Sequence, residues 1–407
     1  MKYMKSLKLE QLQFLFAAII FLSVISPPLA NLFEVALFFS LFLCRTVLEN
    51  LKSYFQTMDF KIHASFGILL LIGIIYPLVD AQTYLNSILS WRKFLLLPIG
   101  YILFQNHKIQ KEKALKIIYY VIFGLTIVNL IYKSQILNFF KPGIIEYQIG
   151  TTSSEGMFVA VALAIVLSSA LNNANTSRTD TILKYSAAAY FIFYIILFTT
   201  GRSGYLAMLI VLAFMLMKFI ASHTSRKQIM SVVLLVSGVL LAMSLLMKSE
   251  TSSNRIKQAI VEFQQSEKNA NENVVTSIGQ RVIFWKNTLQ MVPEYFLVGA
   301  GTGSFKAAYA KQVSDKSGLE GAVTQDPHNQ YLKILIEQGI LGLVVFIAIL
   351  FRSLFQKKFK EEHYMLGASV ICVWMVTSSF NAHFSTFMEG TFIWGWLGLF
   401  SNYSVNR

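Results

Sequence analysis

The chain has 407 residues, of which 55% are hydrophobic and only 14% charged, against about 25% charged in a soluble globular chain. So few charges cannot cover a soluble surface, and the composition points to the bilayer as solvent, where each crossing takes about 20 apolar residues. Its net charge of +14 would suggest nucleic acid in a soluble protein. Here it reads instead as the Lys/Arg excess that membrane proteins keep in their cytoplasmic loops.

Taken in order, apolar runs fall at about 12–27, 31–48, 63–79, 88–104, 117–132, 156–171, 182–199, 204–221 and 229–247, then at 330–351, 364–380 and 385–402. They predict twelve helices. The basic, then apolar start (Met1 to Ala30) has the form of a signal peptide, but the many later spans make it an uncleaved first helix. The fold class expected is all-α, a polytopic membrane helical bundle of about 12 transmembrane helices with one long periplasmic helical loop. Its divisions are 1–247 (helices one to nine), 248–329 (the loop) and 330–407 (helices ten to twelve).

Twelve spans put both termini on one side. Lys2, Lys5 and Lys8, the cluster from Lys108 to Lys116, and the cluster from Arg352 to Lys360 fall on that side. Short loops on the other side hold only Arg92, Lys93, Lys133, Lys141 and Arg202. The asymmetry orients both termini to the cytoplasm and the segment 248–329 outside. Within that segment Ile256, Ile260 and Phe263 form a stripe suited equally to a helix on the membrane surface and to an amphipathic loop helix packed on the protein. A second helix carries Arg281, Trp285 and Leu289 and is expected to end at Pro293. Gly299-Ala-Gly-Thr-Gly303 reads as a turn, followed by a helix of about 304–316.

Three motifs could carry chemistry. Thr199-Thr-Gly-Arg202-Ser-Gly204 lies at the outer boundary. Its glycines permit a tight turn and close approach, and an outward Arg at a helix start suits a phosphate, although snorkelling would also place an Arg there. Gly279-Gln-Arg281-Val-Ile-Phe-Trp285 is weaker alone, since most loop arginines are only solvated. Asp326-Pro-His328-Asn-Gln-Tyr331 precedes the tenth helix. Asp326 reads as its N-cap and Pro327 as its first residue, which puts His328 in the first turn, facing the outer surface. A neutral imidazole there can act as a general base; a lone interfacial His would be an anchor, but two converging arginines favour the base. His383 and Arg92 are candidate cavity-lining residues, each with an anchoring role as the alternative. No Asp-x-Asp pair stands ready for a divalent ion, and the two cysteines sit in apolar segments, away from any zinc pattern.

Together these features resemble the O-antigen ligase/O-antigen polymerase superfamily of bacterial membrane glycosyltransferases, most closely its ligase branch. The shared features are about a dozen spans, the Thr-Thr-Gly-Arg-Ser-Gly turn, a long outer loop with an Arg-x-x-x-Trp helix, and His328-Asn329 followed, after nine intervening residues, by Gly339. The residues after Gly339 read Ile-Leu-Gly-Leu-Val-Val, a departure from the small-residue pattern of that branch. The resemblance implies a donor glycan on undecaprenyl diphosphate and a lipid A–core acceptor, both embedded among membrane lipids, with no nucleic acid partner and no cofactor. It maps the family's diphosphate-binding arginines onto Arg202 and Arg281 and its catalytic histidine onto His328, with Asn329 beside it as a possible lining residue. The implied chemistry is metal-independent and inverting, at the periplasmic side of a bacterial inner membrane, in lipopolysaccharide biosynthesis. O-antigen polymerase, protein O-oligosaccharyltransferase and, in a different class, a lipid or polysaccharide transporter remain the alternatives. The concentration of ionisable residues at one face rather than at the midplane argues against transport.

Overall fold

A computed structural model describes residues 8–71, 78–104, 108–133, 151, 153–172, 177–199, 201–222, 277–355 and 364–400. The expected span 229–247 and the stripe of Ile256, Ile260 and Phe263 lie outside these residues. Within them the regular structure is all helix, which with the closed β-barrel is one of two ways to satisfy backbone groups where no water can.

The helices are α1 (Leu9–Ile25), α2 (Pro27–Leu41), α3 (Arg45–Phe55), α4 (Met58–Leu71), α5 (Ala81–Trp91), α6 (Leu96–Phe104), α7 (Lys108–Lys133), α8 (Glu155–Asn172), α9 (Arg178–Phe198) and α10 (Arg202–Ser222). After a gap come α11 (Ser277–Tyr295), α12 (Phe305–Gln312), α13 (Gln330–Leu354), α14 (Tyr364–Thr377) and α15 (Phe387–Phe400). Among the described residues, five stretches are long and apolar enough to cross a membrane alone: Ala81–Phe104, Lys111–Ile131, Arg178–Phe198, Arg202–Ile220 and Gln330–Leu354. The expected helix 31–48 is not one rod. It stops at Leu41, turns, and continues as α3 at 86° to α2, and counting this bent pair makes six. Leu9–Ile25, Glu155–Leu171 and Tyr364–Thr377 are shorter apolar helices.

Ser26 separates α1 from α2, and Pro27 starts α2 because a first-turn proline has no hydrogen bond to lose. α1 packs on α2 and α15, α6 on α15, α8 on α9 and α10, α10 on α14, and α4 on α13. The centre is aromatic. Phe384 and Phe94 each lie edge-on to Trp394 at 5.1 Å, and Phe346 meets Phe384 at 5.0 Å. Such edge-to-face pairs add to the burial of large rings. Phe384 belongs to the short 3-10 turn His383–Ser385 before α15, so this core fixes the loop above it.

α8, α10, α13 and α15 all begin at one end of the bundle. Gly156 and Gly204, near the starts of α8 and α10, are in contact: a Cβ on Gly204 would lie 2.8 Å from Gly156 Cα. Thr151, just before α8, bonds to Glu389 in the first turn of α15. Gln330 Oε1, at the start of α13, accepts from Phe384 N–H at 3.0 Å. At the opposite end Arg352, on the last turn of α13, holds buried Asp59 on α4 with two hydrogen bonds, and Tyr54 OH meets His63 Nδ1 at 2.7 Å.

Residues 277–329 fold over the first end as a helical cap with its own small core of Ile283, Phe284, Met291, Phe305 and Tyr309, joined to α13 by Ile336. α11 runs through Pro293 to Tyr295 rather than stopping at the proline. The Gly299–Gly303 turn reaches α13. Ala300 and Gly301 N–H donate to the carbonyls of Ile336 and Glu337 at 2.7 and 2.8 Å, and Ile340 N–H donates to Phe296 O at 2.6 Å. Between these bonds α13 is broken at Gly339, whose φ is +68°. The turn thus satisfies the groups that the break would leave unpaired.

Candidate active site

α13 does not begin where the Asp-Pro pair suggests. Its N-cap is Asn329, whose Oδ1 accepts from the N–H groups of Tyr331 and Leu332 at 3.0 and 3.1 Å. His328 therefore precedes the helix instead of lying in its first turn. Its backbone is left-handed, with φ +52°, unusual for a non-glycine residue. Asp326 caps His328 instead of the helix: its Oδ1 accepts the His328 N–H at 2.7 Å and stands 3.7 Å from Nδ1. Two tertiary bonds explain the displaced cap. Pro327 O accepts from Trp285 Nε1 at 2.8 Å, and Gln330 N–H donates to Ser378 O at 2.8 Å. A helix starting at Pro327 would turn both groups inward to its own ladder.

α11 clasps this loop. Besides the Trp285 bond, the Phe284 ring stacks on His328 with centroids 6.1 Å apart and planes 21° from parallel, and Trp285 packs near Phe380 at 6.1 Å. Arg281 lies one turn earlier on the same helix and is half-buried. The Arg-x-x-x-Trp spacing thus joins Arg281 to the His328 loop. The His328 side chain stays 40% exposed, open enough to meet a substrate.

Arg202 is the first residue of α10, half-buried. The Gly156–Gly204 contact beside it explains the second glycine of its motif: any side chain there would force α10 off α8. Ser203 Oγ donates to Ser153 O, which ties the arginine turn to the start of α8.

His383 is buried, 2% exposed, with Trp374 edge-on at 5.2 Å. Burial pushes its imidazole down to about 4, against the opposing pull of Glu389 and Asp326. Arg92 is bound within the protein. It donates to Glu34 at 3.2 Å, to Leu89 O at 2.8 Å and to Asn31, an anchoring arrangement. Lys93 is buried as well, with Nζ 2.6 Å from Thr386 O and 3.2 Å from Ser385 O.

All the residues singled out in the sequence thus lie at one end of the bundle. α11, which carries Arg281, packs on the His328 loop through Phe284 and Trp285, and the turn at Arg202 is tied to the starts of α8 and α15. Asn329 acts as a helix cap. Sequence reasoning missed Asp326 as the partner of His328, Phe284 as its stacking platform, and Glu389. The first two were visible as neighbours of known motifs; Glu389 stands alone in an apolar run and gave no signal beyond being a charge there. Chemically, a carboxylate beside an exposed imidazole, with two guanidinium groups at the same end, suits proton abstraction from a hydroxyl next to a developing anion.

Residues 187–347 match the family model described as O-antigen ligase, a stretch containing Arg202, Arg281 and His328. A Haemophilus influenzae protein described as uncharacterized is 30% identical over 125 residues, which is 30% of this chain and 30% of that protein.

Proposed function

We propose that this chain, whose residues 187–347 carry an O-antigen ligase family domain, is the ligase itself. It transfers a glycan from undecaprenyl diphosphate to the lipid A–core oligosaccharide at the periplasmic face of the inner membrane. The observation that carries the proposal is the clasp of α11 on the His328 loop, which joins an arginine to an exposed histidine with a carboxylate partner.

In this reading Arg202 and Arg281 hold the diphosphate and stabilise the charge that grows on it as the anomeric C–O bond breaks. His328 takes the proton of the acceptor hydroxyl, whose oxygen forms the new bond from the opposite face, so the anomeric configuration inverts. Asp326 orients the imidazole; its 3.7 Å separation belongs to a pair that tightens when substrate arrives. Diphosphate is a good leaving group, so two fixed cations suffice without a metal. The apolar helices take up the prenyl tail.

Chromosomal deletion followed by gel analysis of lipopolysaccharide tests the proposal. Loss of all long-chain material with lipid-linked polymer retained is the expected result. A core carrying one repeat unit would overturn it in favour of a polymerase, and unchanged lipopolysaccharide with altered glycoproteins in favour of a protein O-oligosaccharyltransferase.

A further inference from the structure

The chemistry above leaves several buried carboxylates unused, Glu389 among them. Glu389, in the first turn of α15, is 2% exposed, and a carboxylate so placed is costly unless fully hydrogen-bonded. Its two oxygens take different partners. Oε1 accepts from Thr151 Oγ1 at 3.1 Å and Oε2 from Thr386 Oγ1 at 2.7 Å.

Each threonine leads to a different part of the site. Thr151 opens the turn before α8, with its hydroxyl 2.9 Å from those of Ser153 and Ser154. The Ser153 carbonyl in turn accepts from Ser203, the neighbour of Arg202. Thr386 closes the turn that holds His383 and Phe384. Its carbonyl accepts from Lys93, and its Oγ1 lies 2.8 Å from His383 O. Phe384 N–H bonds to the side chain of Gln330, two residues after His328.

We propose that Glu389 is a positioning residue: through Thr151 it fixes the turn bearing Arg202, and through Thr386 it fixes the loop seating His328. One carboxylate then sets the spacing between the diphosphate site and the base. The proposal rests on the glycosyltransferase reading of those residues. A packing role alone would not require a charge here, since an apolar side chain of similar volume serves a core as well or better. Displacing a reacting group by about 1 Å costs roughly 10²-fold in rate, so a joint of this kind acts on catalysis without touching substrate.

The test uses purified full-length protein in nanodiscs, with lipid-linked donor and acceptor, and measures KM, kcat, the pH profile of kcat and melting temperature. Thr151→Val and Thr386→Val each cut one arm and lie on exposed residues, so they keep the test decisive if Glu389→Gln fails to fold. Thr151→Val is expected to raise donor KM by about five- to tenfold and to lower kcat with an unchanged pH profile, because Arg202 both binds the diphosphate and stabilises the charge that develops on it. Thr386→Val is expected to lower kcat by about tenfold and shift the acid limb of its pH profile while donor KM holds. Glu389→Gln should show both. Wild-type KM, kcat and pH profile in both threonine variants would overturn the proposal, as would equal losses in every parameter that merely follow a lower melting temperature. Arg202→Ala and His328→Ala serve as references. If they are inactive while the threonine variants behave as wild type, this inference fails alone; if they are fully active, the glycosyltransferase reading fails with it.

Discussion

Asn329 caps α13 with one side-chain oxygen and thereby holds His328 outside the helix, in a left-handed turn facing Asp326. With the proposed base so placed, a division of labour follows. His328→Ala is expected to leave donor binding intact while lowering turnover by about 10²–10⁴-fold. Arg202→Lys and Arg281→Lys keep the charge but lose the planar fork, so both should weaken donor binding. Separate measurements of donor binding and of transfer check this, and transfer by His328→Ala at the wild-type rate would remove His328 from the role of base. His383 predicts a pH effect. Its folded pKa of about 4 lies below its ordinary 6.5, so as pH falls the unfolded chain takes up the proton first. Its contribution to stability is complete above about 6.5 and is lost as pH falls towards 4. Melting curves across that window should show the decline, and His383→Gln should flatten it. At this scale the sequence singled out His328, Arg202 and Arg281 as candidates but misplaced the support of His328. Asp326 and Asn329 are both good caps, and local chemistry cannot choose between them. The choice was made by Trp285 and Ser378, residues distant along the chain.

The helices were legible where apolar runs are bounded by charges or prolines, as α9, α10 and α14 are. Interruptions inside such runs were not. Hydropathy continues unbroken through Leu41-Phe42-Leu43-Cys44, so nothing marked the bend between α2 and α3, and the 3-10 turn Arg92–Leu95 between α5 and α6 was likewise hidden. The Gly299–Gly303 segment was recognised as a turn, but its partner was not. The break in α13 depends on it, because Gly339 has φ +68° and a Cβ there would lie 2.5 Å from Leu297 O. Gly339→Ala should therefore cost about 1–3 kcal/mol, the usual range for backbone held in a disfavoured region. The decline should appear as a lower melting temperature and a smaller folded yield, and an unchanged melting temperature would show that the break tolerates a side chain. This gives a physical reason for the glycine that closes the His-Asn spacing: it marks the point where α13 hands its hydrogen bonds to the cap.

For the molecule as a whole, sidedness was read from charge alone, since a bundle of helices looks alike from either end. A reporter active only in the periplasm, fused near Lys268, is expected to be active; activity of a cytoplasmic reporter there would reverse the orientation and put the His328 end inside the cell. The shared starting end of α8, α10, α13 and α15 has an electrostatic consequence. Each helix carries roughly half a positive charge at its start, partly offset at α8 and α15 by Glu155 and Glu389 in their first turns, so four such ends gather at the end that also holds Arg202 and Arg281. An anion approaching this end meets a positive field before it touches any side chain. Capture of a diphosphate lipid should therefore weaken as salt rises through the range where the Debye length falls from about 30 Å to about 8 Å, while turnover of donor already bound stays level.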